Sequence, residues 1–249
     1  MPSLHYASGA SGRAYINGAP LVTGPPFTAA GYVRATSFAA VQTVFYLGAK
    51  HATATNDCYR IHLSTAGQAQ AHSRNATGTG ASATSAVMTA GMWYHVGAMY
   101  SGTSSRKVFL NGAVSQNTNA ITVNTCTGLA LGTTMVGASS FGNYLSEGQL
   151  ENWGVWSSTL TDEEVAALGK GVQPIHIRPQ SLVYWWRNWG TLAVSTTIRD
   201  VMDRAHLTTA NTTASAESPV MPGRRPWHQL RRRDAAAAAP AQPRIAFII

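Results

Sequence analysis

Along most of the chain, apolar and polar residues alternate in short runs. Residues 13–17, 27–34, 43–48, 58–64, 93–100, 107–110, 128–132 and 149–156 each carry this pattern. A period of two sends successive side chains to opposite faces of an extended strand, so each run is expected to be a strand with one face in a core. Turn formers stand between the runs: Asn17-Gly18, Gly24-Pro25-Pro26, Ser101-Gly102-Thr103 and Asn111-Gly112. Asn-Gly accepts the positive φ angles of tight hairpins. Many short strands at this spacing indicate an all-β sandwich or barrel.

One segment breaks the period. Thr161 is placed to cap a helix, and Glu164 three residues later completes a capping box. Asp162 and Glu163 suit the positive end of the helix dipole, Val165, Ala166 and Leu168 supply an apolar face, and Gly169 or Gly171 can close it. The expected helix is one to two turns long.

The last thirty residues differ again. Arg224-Arg225, Arg231-Arg232-Arg233, five alanines and Pro240-Ala241-Gln242-Pro243 form a low-complexity stretch with too little apolar surface to order itself. The expected organisation is therefore a sandwich over residues 1–219, with a late strand element at 181–210, and an attachment tail over residues 220–249. Charge follows this division. The net charge is +8, yet the tail holds six arginines against Asp234 alone, so basicity says little about the body's ligand.

Charged residues are 11% of the chain and apolar ones 45%, which excludes disorder for the body. Cys58 and Cys126 are too few for a disulfide framework and lack metal-site spacing; two reduced thiols are expected, with one bridge between them as the alternative. No basic, apolar secretory leader and no run of 18 apolar residues is visible, so neither export nor a membrane span is expected.

Four segments, in order, carry a family resemblance. Residues 25–34 (Pro-Pro-Phe-Thr-Ala-Ala-Gly-Tyr-Val-Arg) resemble the early strand of laminin-G-like jelly rolls. Trp93-Tyr94-His95-Val96 is similar to their W-x-H-V strand, and residues 106–112 (Arg-Lys-Val-Phe-Leu-Asn-Gly) to the hairpin that follows. Residues 148–156 with Leu160-Thr161-Asp162-Glu163-Glu164-Val165 resemble the closing strand and helix. The match covers residues 3–172. Tyr32 stands where Trp is commoner, and Asn152-Trp153 replaces an acidic-aliphatic pair. Leu182-Val183-Tyr184-Trp185-Trp186, then Asp200 and Leu207-Thr208, resemble a stretch that often opens such domains.

The resemblance implies an all-β, two-sheet antiparallel jelly-roll sandwich of the concanavalin A/laminin-G type, with one short helix and an extended C-terminal tail. The late element and the Arg-rich tail resemble proteins of tailed-phage virions. That implies a non-catalytic virion structural protein, a capsid decoration or fibre-type subunit assembled in the host cytoplasm, with weak binding of host-surface or environmental glycans. Its expected partners are a major capsid or tail protein and further copies of itself. The alternatives are a free carbohydrate-binding module and, behind it, a glycoside hydrolase.

Candidate chemistry narrows these choices. Rim residues expected to meet a glycan are Asp57, Tyr59, Arg60 and Tyr144. Trp93, Trp153 and Trp156 read as core aromatics, with sugar stacking as the competing role. Trp185 and Trp186 are adjacent, so one should face outwards, towards a subunit contact. With Arg224, Arg225, Arg231, Arg232, Arg233, Phe247 and Ile248 they make the expected partner surface; the apolar end, Ile245-Ala246-Phe247-Ile248-Ile249, could add a strand to a neighbour's sheet. Glu147, Gln149 and Glu151 share a strand face, but residues four apart lie ~13 Å apart, against ~5–5.5 Å for a retaining carboxylate pair. No catalysis is expected there. His95 reads as a packed histidine, and the other histidines show no ligand spacing. No cofactor is expected; calcium at Asp57 is the one metal reading left open. The arginine run lacks interleaved aromatics, so nucleic acid is not an expected partner.

Overall fold

In the computed structural model the described residues form eighteen strands, one α-helix and one 3-10 turn (Pro174–His176). In order they are β1 (Ser3–Tyr6), β2 (Arg13–Tyr15), β3 (Phe27–Ala35), β4 (Gln42–Gly48), β5 (Cys58–Leu63), β6 (Gln68–Arg74), β7 (Gly80–Val87), β8 (Trp93–Gly102) and β9 (Ser105–Leu110). There follow β10 (Ala113–Asn117), β11 (Gly128–Leu131), β12 (Thr134–Met135), β13 (Phe141–Gly142), β14 (Gly148–Trp156), α1 (Asp162–Gly169), β15 (Leu182–Trp186), β16 (Thr197–Ile198), β17 (Leu207–Ala210) and β18 (Thr212–Ser215). Every alternating run of the sequence lies on one of these strands. The residues described are 3–6, 13–16, 18–49, 57–135, 141–143, 145, 148–187, 197–210 and 212–215. The tail arginines, Phe247 and Ile248 fall outside them, as do Tyr144 and Glu147.

The strands make two antiparallel eight-stranded sheets and a small hairpin, as expected of a jelly roll. One sheet runs β10-β9-β8-β3-β14-β1-β18, and β15 also pairs with β14. β14 thus shares one edge between two partners: β1 pairs at Leu150 and Gln149, and β15 at residues 153–156. The other sheet runs β16-β17-β2-β11-β4-β5-β6-β7. The main core lies between them: Phe27, Phe45, Tyr59, Tyr100, Trp153 and Trp186 pack there with aliphatic residues. Phe27 touches Phe45, Tyr59 and Tyr100 at ring-centroid distances of 6.3, 5.5 and 4.8 Å.

At β3 and β14 the first sheet is buried on both faces. The Thr161 hydroxyl accepts from Glu164 N (3.2 Å), and the Glu164 carboxylate accepts from Thr161 N (2.7 Å), so the expected capping box is present. Gly171, at φ +94°, lies just past the helix end. Val165 and Leu168 of α1, with Leu160 and Leu182, pack on Ala30, Met99, Phe109, Trp156 and Trp185 of the sheet's outer side. This explains the unbroken burial along β14, where alternation would otherwise give one wet face. We call this the covered sheet.

Asn111 (φ +50°) and Gly112 (φ +90°) form the tight β9–β10 turn that the dipeptide predicts. The other departure from the family pattern, Asn152-Trp153, has a structural cause. β14 bulges between Glu151 and Gly154, and Asn152 takes a positive φ of +55°. Trp153 then lies over Gly31 of β3, where a Cβ would come within 2.6 Å of the indole. Only glycine leaves that room.

Candidate functional site

The second sheet keeps a polar outer face. Its inward residues include Tyr59, Ile61 and Leu63 on β5, Ala69 and Ala71 on β6, and Ala83 on β7. By strand parity Arg60, His62, Gln70, His72, Arg74, Ser82 and Thr84 face outwards. Register joins them into rows. One crosses the whole sheet: Thr197, Thr208, Tyr15, Ala130, Tyr46, Arg60, His72 and Ser82. Flanking rows are Gly48-Cys58-Arg74-Gly80 and Thr43-His62-Gln70-Thr84.

The β12–β13 hairpin covers one half of this face. Met135 and Phe141 pack with Tyr15, Tyr46, Cys58 and Ala130. Tyr15 and Phe141 meet at 5.0 Å, and the Arg13 guanidinium lies 4.6 Å over the Phe141 ring. Both aromatics are half-buried, giving an apolar margin beside the polar half. On β6 and β7 the outward residues are half-exposed while their inward neighbours are buried.

The polar half is cationic and under-bonded. The Arg60 guanidinium makes no hydrogen bond among the described residues, and its buried Nε has no partner. Arg74 Nε donates to Gly78 O at 2.9 Å. The His62 and His72 rings meet edge-on at 5.3 Å. His72 Nδ1 lies 2.8 Å from Ser82 Oγ, while His72 Nε2 and His62 Nδ1 are buried without partners. The His72 ring packs against Gly80, where a Cβ would meet it at 2.7 Å. Burial, and then the neighbouring Arg60 charge, push His62 down to about 4 and His72 to about 3. Both rings are neutral at physiological pH, so the positive charge of the face resides on its arginines.

The expected site residues fare differently. Arg60 stands at the centre of the face. Tyr59 was expected on the rim, but it points into the core between the sheets and is 1% exposed. Asp57, expected at a calcium-accessible rim, is likewise buried; its carboxylate accepts from Asn124 N (3.2 Å) and Asn124 Nδ2 (2.7 Å). It clasps two loops. Trp185 and Trp186 do point to opposite sides of their strand, but neither is exposed. Trp186 enters the main core, and the segment 157–181 covers Trp185. They form no open subunit contact surface.

Trp153 and Trp156 are core residues, as expected. Gln149 and Glu151 lie buried on the outer side of the covered sheet, away from the polar face, and Arg34 donates to Gln149 Oε1 at 3.1 Å. His95 is buried beside Tyr32 at 5.1 Å. Cys58 and Cys126 are both free and buried. Among the described residues no three His, Cys, Asp or Glu side chains gather as a metal site. His62, Gln70, His72, Arg74, Ser82 and Thr84 lie outside the residues expected from the sequence. Their signal was available: residues 68–74 and 80–87 alternate small residues with polar ones.

Comparison with known proteins agrees with this architecture. The family described as the concanavalin A-like lectin/glucanases superfamily matches residues 7–166. No functionally curated protein matches the sequence. A Bacteroides ovatus protein designated a candidate carbohydrate binding protein is similar in structure, with TM-score 0.63, 16% identity, and 86% of this chain but 59% of that one covered. The heptameric SAP-like pentraxin of Limulus polyphemus superposes with TM-score 0.59 at 11% identity, covering 90% of this chain and 97% of its own. The CBM40 of a Ruminococcus gnavus IT-sialidase, bound to α2,3 sialyllactose, gives TM-score 0.50 at 15% identity, over 62% of this chain and 93% of its own.

Proposed function

The chain belongs to the concanavalin A-like lectin/glucanase superfamily, and from that premise we propose that it is a non-catalytic carbohydrate-binding module whose ligand lies on the polar face of β5, β6 and β7. One observation carries this reading. The row Arg60-His72-Ser82, flanked by Gln70, Arg74 and Thr84, presents guanidinium, imidazole, amide and hydroxyl groups on one face of the sheet. Sugars are recognised by such groups together with an apolar margin, which Tyr15 and Phe141 supply here. Two structural neighbours, a candidate carbohydrate binding protein and a CBM40 bound to α2,3 sialyllactose, point the same way.

The non-catalytic part rests on where the acids lie. Glycosidases of this superfamily's broad class need paired carboxylates beside the sugar. Among the described residues, Asp57 and Asp200 are buried in hydrogen-bonded loops, Asp203 is exposed between β16 and β17 beside His206, Glu151 is buried in the covered sheet, and Asp162, Glu163 and Glu164 sit on α1. None of them faces out from β4 to β7. The test is binding to a broad oligosaccharide array by the wild type and by Ser82→Tyr, which blocks the face. Binding lost in the variant at an unchanged thermal midpoint supports the reading. A wild type that retains no sugar overturns it.

The setting we propose is a virion surface, with residues 220–249 as the attachment device and major capsid or tail protein as its partner. Supporting it is the sequence of the tail: Arg224, Arg225 and Arg231–Arg233 for an acidic groove, and Phe247 and Ile248 for an apolar one. Removal of residues 220–249 should then abolish incorporation into particles and leave a folded body. Incorporation at the wild-type level refutes that setting and leaves the sugar-binding reading intact.

A further inference from the structure

Resting on the carbohydrate reading, we infer that the ligand of this face is an acidic sugar, one carrying a carboxylate or sulfate, held by Arg60 and Arg74. Four observations lead there. First, the two arginines stand on neighbouring strands. Cys58 is opposite Arg74 and Arg60 is opposite His72, so Arg60 and Arg74 are diagonal neighbours on the same side of the sheet. Residues so related are ~7–8 Å apart at the backbone, within reach of a single charged group for side chains of this length.

Second, among the described residues no carboxylate pairs with either. The ionisable groups around Arg60 are Cys58, Arg74, Tyr100 and Tyr46, with no Asp or Glu among them, and burial keeps the thiol and both phenols neutral. The only acid close in sequence, Asp57, has its oxygens engaged by Asn124.

Third, Arg60 is half-buried with an unpartnered Nε. A desolvated guanidinium without an acceptor costs free energy that a bound anion would offset. Arg74 is prepared differently: its Nε is held by Gly78 O, which fixes the fork and leaves the terminal amino groups without a hydrogen bond among the described residues. A planar fork of this kind matches two oxygens of one carboxylate or sulfate.

Fourth, the groups around the arginines suit the remainder of a sugar. Gln70, Ser82 and Thr84, half-exposed on β6 and β7, offer amide and hydroxyl groups to sugar hydroxyls, and the half-exposed His72 ring lies between them. A site for a bare phosphate or a peptide carboxylate has no need of that polar surround. The acid therefore marks one end of the ligand, and the neutral row extends from it.

The test is calorimetric titration of the full chain with matched oligosaccharides. The set holds a sialylated or uronic-acid sugar, its carboxyl-reduced counterpart, a sulfated sugar, and a DNA duplex. The acidic sugar should bind about tenfold to a hundredfold more tightly than its reduced counterpart, the span expected for a charge-assisted hydrogen bond. Arg60→Gln and Arg74→Gln should each remove that preference while leaving weak binding of the neutral sugar. Arg60→Lys, which keeps the charge and the bulk, guards against a folding defect and should retain part of it. Which acid binds, carboxylate or sulfate, identifies the source. Equal affinity for the acidic and reduced sugars overturns the inference while the carbohydrate reading stands. Failure of every sugar to bind takes down the carbohydrate reading itself. Binding of the duplex as strong as that of the acidic sugar overturns the inference in favour of a general polyanion surface.

Discussion

The indole Nε1 of Trp185 donates a 2.7 Å hydrogen bond to Oδ1 of Asn152. Both residues are buried, and Asn152 sits in the left-handed region at the β14 bulge. The bond therefore ties the irregular point of the central strand to the strand that shares its edge. Asn152→Ala removes the acceptor and keeps the unfavourable φ, and should cost about 1–3 kcal/mol for the stranded indole N–H, plus about 1 kcal/mol for the backbone. Asn152→Gly should lose only the former. Urea unfolding of the two variants and Trp185→Phe, combined in a double-mutant cycle, measures the pair; strict additivity would contradict it.

Asp200 is the hub of the late element. Its Oδ1 accepts from Trp185 N (2.8 Å) and Met202 N (3.1 Å), and its Oδ2 from Arg204 N (3.0 Å) and Ala205 N (3.2 Å). Asp200→Ala strands buried backbone donors, a loss of at least ~3 kcal/mol by the usual penalty per group. Asp200→Asn keeps the geometry with one oxygen fewer and should fall in between. Hydrogen exchange should locate the loss at β15 and residues 198–206, and uniform loosening elsewhere would speak against a hub.

Gly31→Ala would push a methyl group into the Trp153 ring. Overpacking of this kind costs about 1–3 kcal/mol. A smaller residue at 153 should relieve the clash, so Gly31→Ala with Trp153→Leu should be less unstable than the sum of the two single changes. Chemical denaturation of all three proteins decides it.

Acid should weaken the fold well above the carboxylate range. Burial holds His62 at about 4, His72 at about 3 and His95 at about 4. In the unfolded chain an imidazole titrates near ~6.5. Between those limits the unfolded state binds protons that the folded state does not, so stability falls as pH drops from about 6.5 and levels only below the folded values. Each such histidine contributes at most about 1.4 kcal/mol per pH unit across its window. The urea midpoint should fall steadily between pH 7 and pH 4.5, and less steeply in His95→Gln. A flat profile would mean these rings are not buried neutral.

Much of the fold could be read before the structure. Trp93-Tyr94-His95-Val96, the Asn111-Gly112 turn and the Thr161–Glu164 cap act through local chemistry, and local chemistry is written in neighbouring residues. β6 and β7 were hidden for the opposite reason. Their core positions are Ala69, Ala71, Ala81 and Ala83, too small to stand out as apolar. That same smallness concealed the candidate face, since its polar residues lie between those alanines. The Tyr59–Arg60 pair shows the remaining limit. Alternation says that one faces in, but only the opposing sheet decides which, and Phe27 and Tyr100 make that choice. For Trp185 the alternation was correct, and what it could not contain was the later segment that covers the outer side.

β1 pairs with β18 in antiparallel register, Ser3 opposite Ser215, and β1 also pairs with β14. Two of the chain's most distant described segments thus complete one another on the edge of the covered sheet. During synthesis the first strand must wait, its hydrogen-bonding groups met by water, until nearly the whole body has left the ribosome. Contacts of such long sequence separation make folding slow and leave early strands open to pairing with the wrong neighbour. The charged residues kept scarce elsewhere give little protection in that interval, so yield on expression should respond to temperature and chaperone supply more than the finished sandwich's stability would suggest.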